Sequence, residues 1–304
     1  MSALLICLTI LLYTLQSLFC RLYTEHYPGD KKVAPSVFAF VCGVIVTVVS
    51  FICSGFKFEF SLLTVIFGAI NAVVLYCYDT FIVKASDAGS YSVLMVFNLS
   101  GGIVLPAIFS NLVFKDHLGL VKILCMLTIF AAIYMVSYKP RSESKSSKVS
   151  GKFILLCILL GASNGAYGIM LDYQSRTTGV AQKEEMVALT FMGAALISFL
   201  VLLFSKKKDA IAAFKQTRAS LLFLILCSVV SALAINTLVY LLPLVNVTLL
   251  YTFDNAGVMM LSAIASMILF KEKLTKINLI GCAVMCLAMI CMSLSGTIEG
   301  WFLA

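Results

Sequence analysis

Charge is scarce in this sequence. Only 12% of its 304 residues are Asp, Glu, Lys or Arg, while 62% are hydrophobic. Soluble domains carry about 25% charged residues, so a water-facing globular surface is excluded and a bilayer is the natural solvent. Histidine is scarcer still. His26 and His117 stand far apart and no two cysteines have C-x-x-C spacing, so no metal site and no cofactor are expected. The constellations of intramembrane enzymes are missing as well, with no HExxH, GxGD or prenyl-phosphate-type aspartate pair, and no enzymatic activity is expected. The first apolar segment has no basic residue before Arg21 and no small-x-small cleavage site after it. It reads as a retained helix rather than a secretory signal.

The net charge of +8 does not point to nucleic acid, because the basic residues sit in short breaks between apolar segments, where loops meet anionic lipid. Most of the eleven cysteines fall inside apolar segments and read as small buried hydrophobes. A spanning helix needs about 20 apolar residues, and ten stretches qualify: 2–22, 34–54, 60–83, 90–113, 118–138, 152–172, 185–205, 219–242, 245–270 and 275–295. The expected fold is all-α and integral to the membrane, with ten transmembrane helices. Residues 139–150 form a basic, Ser-rich linker between two five-helix units, 1–138 and 151–304. The basic stretch 205–219 suits either a short interfacial helix or a solvated loop.

The two units echo one another. Phe114-Lys115-Asp116-His117-Leu118 recurs as Phe270-Lys271-Glu272-Lys273-Leu274, and at the same offset Asn98 pairs with Asp254, Gly101 with Gly257 and Ser110 with Ser266. An odd number of helices per unit forces the second copy to enter from the opposite face, so the repeats are inverted. That is an architecture of secondary transporters, with the binding site near the midplane. All of the 22 basic residues except Lys57, Lys115, Lys122, Arg176 and Lys183 follow odd-numbered helices. The positive-inside rule then places the odd loops in the cytoplasm and both termini outside.

Phe270-Lys271-Glu272-Lys273-Leu274, followed by Ile280-Gly281-Cys282-Ala283-Val284, resembles the drug/metabolite transporter superfamily in its ten-helix, EamA-like branch; Phe114-Lys115-Asp116 is the weaker copy. The resemblance implies a secondary transporter, often an exporter, of small organic metabolites such as amino acids or amines. It also implies cytoplasmic termini, opposite to the charge count, and the orientation stays open. The small multidrug branch couples to protons through a glutamate in its first helix. Here no acid precedes Glu25, so that mechanism does not carry over.

Polar side chains in spanning helices face the bundle interior, and they nominate a site. The first helix carries a stripe of Thr9, Tyr13, Gln16, Ser17 and Cys20, either a cavity wall or helix–helix glue. The sixth offers Ser163, Asn164 and Tyr167 beside a stripe of Gly161, Gly165 and Gly168 that suits packing or bending. The fourth and ninth offer Asn98, Tyr251 and Asp254, and the eighth Asn236 and Tyr240, one turn apart. Asp254 falls deep in its helix, where a carboxylate must be neutral, paired or in a wet cavity. It is the candidate for coupling to H+ or another cation, or for pairing with a substrate amine. Asp79 falls near a helix end, within reach of headgroups. The expected partners are a small-molecule substrate and the bilayer. The lack of a glycosylation-rich loop and of organelle signals suits a bacterial plasma membrane. A non-transporting scaffold is the alternative.

Overall fold

A computed structural model describes residues 2–115, 119–137, 150–177, 182–205, 216–241, 244 and 247–298. Ten long helices run through them: α1 Ser2–His26, α2 Ala34–Cys53, α3 Leu62–Ala88, α4 Tyr91–Phe114, α5 Leu120–Ser137, α6 Gly151–Thr177, α7 Lys183–Phe204, α8 Arg218–Leu241, α9 Val247–Ile268 and α10 Lys276–Ser293. Seven are long and apolar enough to cross a membrane. Three shorter apolar segments, Leu120–Val136, Phe253–Ile268 and Lys276–Met292, complete the ten. The serine-rich linker, apart from Ser150, and most of the basic stretch 205–219 lie outside the described residues.

Local chemistry sets the helix ends. Pro35 begins α2, where its missing N–H costs nothing. The Ser61 hydroxyl accepts the Thr64 N–H at the start of α3, and Thr275 and Asn278 form a reciprocal capping box on α10. Charge ends the apolar run of α3 but not the helix itself, which continues past Lys84 to Ala88 because its last turn is tied down. Arg21 donates to the Ser86 and Gly89 carbonyls, and Lys31 pairs with Asp87.

The echoed breaks share a backbone conformation. Lys115 and Lys271, equivalent in the two copies, both adopt the left-handed region, at φ 58° and 50°. That is an uncommon choice for a residue with a Cβ.

The helix partners follow the duplication. α1 packs on α8 and α9, and α6 correspondingly packs on α3 and α4. α2 packs on α7, and α5 on α10. This pattern is unchanged when each helix is exchanged for the one five later. The two sequence halves are therefore interlaced rather than side by side. Their helices sort into two mixed four-helix bundles, α1–α2–α8–α9 and α3–α4–α6–α7, with α5 and α10 paired beside them.

The molecule is polar inside and apolar outside. Thr9, Asn71, Asn98, Asp79 and Asp254 are buried, whereas Leu196, Leu222 and Phe204 are exposed, as a lipid solvent requires. Eight cysteines were expected to be buried; Cys7 and Cys291 instead face outward, and Cys42, Cys125, Cys157, Cys227, Cys282 and Cys286 are buried. All are free thiols.

Close packing holds the bundles together. At the α4–α6 crossing, a Cβ on Gly101 would collide with the backbone of Gly161. One on Gly161 would lie 2.5 Å from the Phe97 carbonyl, and one on Gly165 2.6 Å from the Gly101 carbonyl. The glycine stripe of α6 thus serves packing. Between the bundles, a Cβ on Gly43 of α2 would lie 2.7 Å from the Phe191 carbonyl of α7.

The second echoed acid makes the densest polar contact. Glu272, just beyond α9, receives the Tyr91 N–H at 2.6 Å and the hydroxyls of Ser90, Ser92 and Ser266 at 2.8, 3.1 and 2.6 Å. It therefore caps the N-terminus of α4 from another helix, where an anion is favoured by the free N–H groups and the helix dipole. The Tyr91 hydroxyl also bridges Ser17 of α1 and Ser262 of α9, at 2.5 and 3.3 Å. With the Arg21 bonds, these contacts join the two bundles at the face reached by the basic, odd-numbered loops.

Candidate functional site: a cavity between the bundles

Between the two bundles lies a cavity of about 180 Å³. Six of the eight sequence-nominated residues line it: Tyr13 and Gln16 on α1, Asn98 on α4, Tyr167 on α6, and Tyr251 and Asp254 on α9. Five helix-lengths of sequence separate Asn98 from Asp254, yet the interlaced packing brings these equivalent positions to one space.

Asn236 and Tyr240 do not join them. The Asn236 amide is spent on Ser50 of α2 (3.1 Å) and on its own helix at Ala232 (2.8 Å), and Tyr240 points outward with 54% of its surface exposed. Spacing of one turn places both on one side of α8, which meets α2 at Asn236 and faces outward at Tyr240.

Two further polar residues of the sequence line the cavity. Asp79 lines the cavity and is only 5% exposed. In the sequence it falls near a helix end because Lys84 closes the apolar run. The extra turn of α3 moves Asp79 inward, and the polar run Tyr78-Asp79 within an apolar segment was its only signal. Asn164 also lines the cavity, whereas Ser163 turns its hydroxyl to the Leu159 carbonyl (2.9 Å). Asp254 sits nearer the start of its helix than the sequence suggested, seven positions after Val247, or about 10 Å along the axis. The α1 stripe resolves as a cavity wall. Tyr13, Gln16, Ser17 and Cys20 line the space, and Thr9 is buried beside Asp254.

The wall is only partly satisfied by its own bonds. The Asn98 amide donates to the Tyr78 hydroxyl at 3.3 Å, and the Asn164 amide donates to the Asn98 main-chain carbonyl at 2.8 Å. This second bond occupies the carbonyl of a helix already weakened by Gly101, Gly102 and Pro106. Three buried polar atoms facing the cavity have no protein partner: Asn98 Oδ1, Asp254 Oδ1 and the Tyr167 hydroxyl. Buried polar atoms are rarely left unpaired, because each costs about 1–3 kcal/mol. No Lys, Arg or His is among the described lining residues, so among them the carboxylates of Asp79 and Asp254 find no basic partner. The arrangement can hold a small polar guest by hydrogen bonds and favours positive charge.

Residues 151–294 match the EamA-like transporter family. Over that stretch, just under half its length, the chain is similar to the EamA-like transporter family. Its members are membrane transporters, and this chain is a multi-pass membrane protein of the drug/metabolite transporter type. The matched region contains α6 to α10, hence Tyr167, Tyr251 and Asp254. Among 26 matching chains of solved structure, one crystal structure is similar over 99% of this chain and 98% of its own length. Its TM-score is 0.62 at 13% identity, a likeness of fold. No curated protein matches the chain.

Proposed function

We propose that this EamA-like protein is a secondary transporter, working as an exporter, that moves small organic metabolites such as amino acids or amines by alternating access. The observation that carries the proposal is the cavity itself: a membrane-buried space between two bundles, walled by residues from both sequence repeats and bearing unpaired polar atoms. A scaffold has no use for such a space, since filling it with apolar side chains would stabilise the fold.

The interlaced packing refines the moving parts. The sequence suggested that one five-helix half rocks against the other. The contacts favour rocking of α1–α2–α8–α9 against α3–α4–α6–α7, with the tight α2–α7 crossing as the pivot. Hydrogen bonds gather between the bundles at the basic face, which makes this a conformation closed on that side.

Counterflow tests the proposal. Purified protein in liposomes loaded with an unlabelled metabolite extract is expected to accumulate a labelled substrate transiently against its gradient, and a scaffold would accumulate none. Export is tested with the same vesicles sorted by orientation.

Coupling runs through Asp254 in this reading, because a carboxylate facing the cavity can take either a proton or a cationic substrate. Asp254→Asn is expected to keep substrate exchange but to lose accumulation driven by a pH gradient. A variant that still concentrates substrate in response to that gradient would remove Asp254 from the coupling role.

A further inference from the structure

The two buried carboxylates do not share one spot. α3 and α9 run in the same direction across the membrane. Asp79 lies towards the end of α3 and Asp254 towards the start of α9, so they occupy opposite ends of the cavity. Helix α1 passes both and serves as a ruler. Asp254 lies within electrostatic reach of Tyr13, and Asp79 within reach of Cys20. Those two positions are seven residues apart, about 10 Å at the helical rise.

The cavity wall exposes mostly hydrocarbon surface, including Leu99, Leu171, Phe191, Ile235 and Leu238, with Gln16, Ser17 and Ser231 among its polar members. It is interrupted by the unpaired acceptor Asn98 Oδ1, on a side chain only 4% exposed, and by the unpaired Tyr167 hydroxyl. The site thus offers an anion towards each end, the unpaired Asn98 acceptor beside Tyr78 near the Asp79 end, and no cation among the described residues of its wall.

A substrate carboxylate would find no counter-charge here, and its desolvation would go unrepaid. A monoamine would neutralise one acid and leave the other. An extended aliphatic chain with an ammonium group at each end satisfies both, and the Asn98 acceptor, beside Tyr78, adds a hydrogen bond near the Asp79 end.

We infer that the cavity binds linear aliphatic di- and triamines as dications or trications, one terminal ammonium at Asp79 and the other at Asp254. This inference narrows the substrate class of the transporter proposed above and rests on that reading for movement, but not for binding.

Binding to the purified protein in detergent, by isothermal calorimetry, tests it with spermidine, putrescine and butylamine. Spermidine or putrescine is expected to bind at least about tenfold more tightly than butylamine. In Asp79→Asn that advantage should vanish while butylamine still binds, because Asp254 remains. Asp254→Asn should behave as the mirror case, and Asp79→Glu should restore part of the advantage, which separates loss of a station from loss of fold. Equal binding of butylamine and the polyamines, or an advantage that survives Asp79→Asn, overturns the inference.

The two readings fail separately. Polyamine binding with no movement in proteoliposomes would overturn transport and leave the two-station site standing. Counterflow of other metabolites, with no binding or competition by polyamines, would overturn the site and leave transport standing.

Discussion

Gly101→Leu is expected to abolish the folded protein, seen as loss of the monodisperse peak and of the thermal transition in detergent. The side chain would have to enter the place where the backbones of α4 and α6 touch, because even a bare Cβ on Gly101 meets the Gly161 main chain. Main chain cannot rotate aside as a flexible side chain can. Relief therefore requires separating two helices along their shared length, which also breaks the approaches of Gly161 to Phe97 and of Gly165 to Gly101. Overpacking a core costs about 1–3 kcal/mol even where side chains can yield, and close helix approach is the main source of association free energy in a membrane. Gly257→Leu, at the equivalent position of α9, is expected to cost less, since its neighbour is the side chain of Ile10. Equal thermal midpoints for the two variants would contradict the backbone-contact argument.

Removing the Glu272 carboxylate should open the basic face. In Glu272→Ala, the Tyr91 N–H and the hydroxyls of Ser90 and Ser92 lose their acceptor, and the link from α9 to the start of α4 goes with it. Hydrogen bonds to a charged group contribute about 1.5–3 kcal/mol each, and 1.4 kcal/mol is a factor of ten in an equilibrium. Native cysteines report the change. Cys20 and Cys42 line the cavity at 1% and 2% exposure and lie in the halves of α1 and α2 nearer the basic face. Their labelling by a membrane-impermeant maleimide applied from that face, followed by peptide mass mapping, is expected to accelerate about tenfold or more in Glu272→Ala. Cys53, exposed at the opposite end of α2, should stay unlabelled and so controls for leakage of the reagent across the membrane. Unchanged labelling of Cys20 and Cys42 would make Glu272 a helix cap only.

Much of the fold is legible in the sequence because the bilayer imposes one strong rule. Apolar runs of helical length must become helices, and the ten runs did so with ends displaced by a few residues. The displacements have causes. Charge marks the edge of the hydrocarbon rather than the end of a helix, so α3 ran on to Ala88 and carried Asp79 inward. The echo between residues 114–118 and 270–274 correctly implied inversion. It gave no hint that the halves interlace, since that depends on which helix face meets which, and α1 must be seen against α8 and α9 to know it.

The site was legible where a residue was too costly to face lipid. Asp254 and Asn98 have no cheap alternative, and both line the cavity. Asn236 was ambiguous because a single hydroxyl, on Ser50, can satisfy it in a helix contact. Tyr240 can tolerate the exterior through its amphipathic ring. The role of Glu272 could not be read from spacing. Its partners Ser90 and Tyr91 lie on the far side of the fold in sequence terms, and only the packed structure brings them within 3 Å of it.

The interlacing of the repeats also has a consequence for how the protein is made. The polar stripe of α1 is covered by α8 and α9, which are synthesised late. At about 5–20 residues per second, the stretch from His26 to Leu241 takes on the order of 10–40 s to emerge. For that time the nascent chain holds Tyr13 and Gln16 in lipid, or in the care of the insertion machinery, without the cover of α8 and α9, while Ser17 can already meet Tyr91 of α4. A chain halted after the first repeat has every helix of one copy and almost none of its proper neighbours. It is the natural target of membrane quality control.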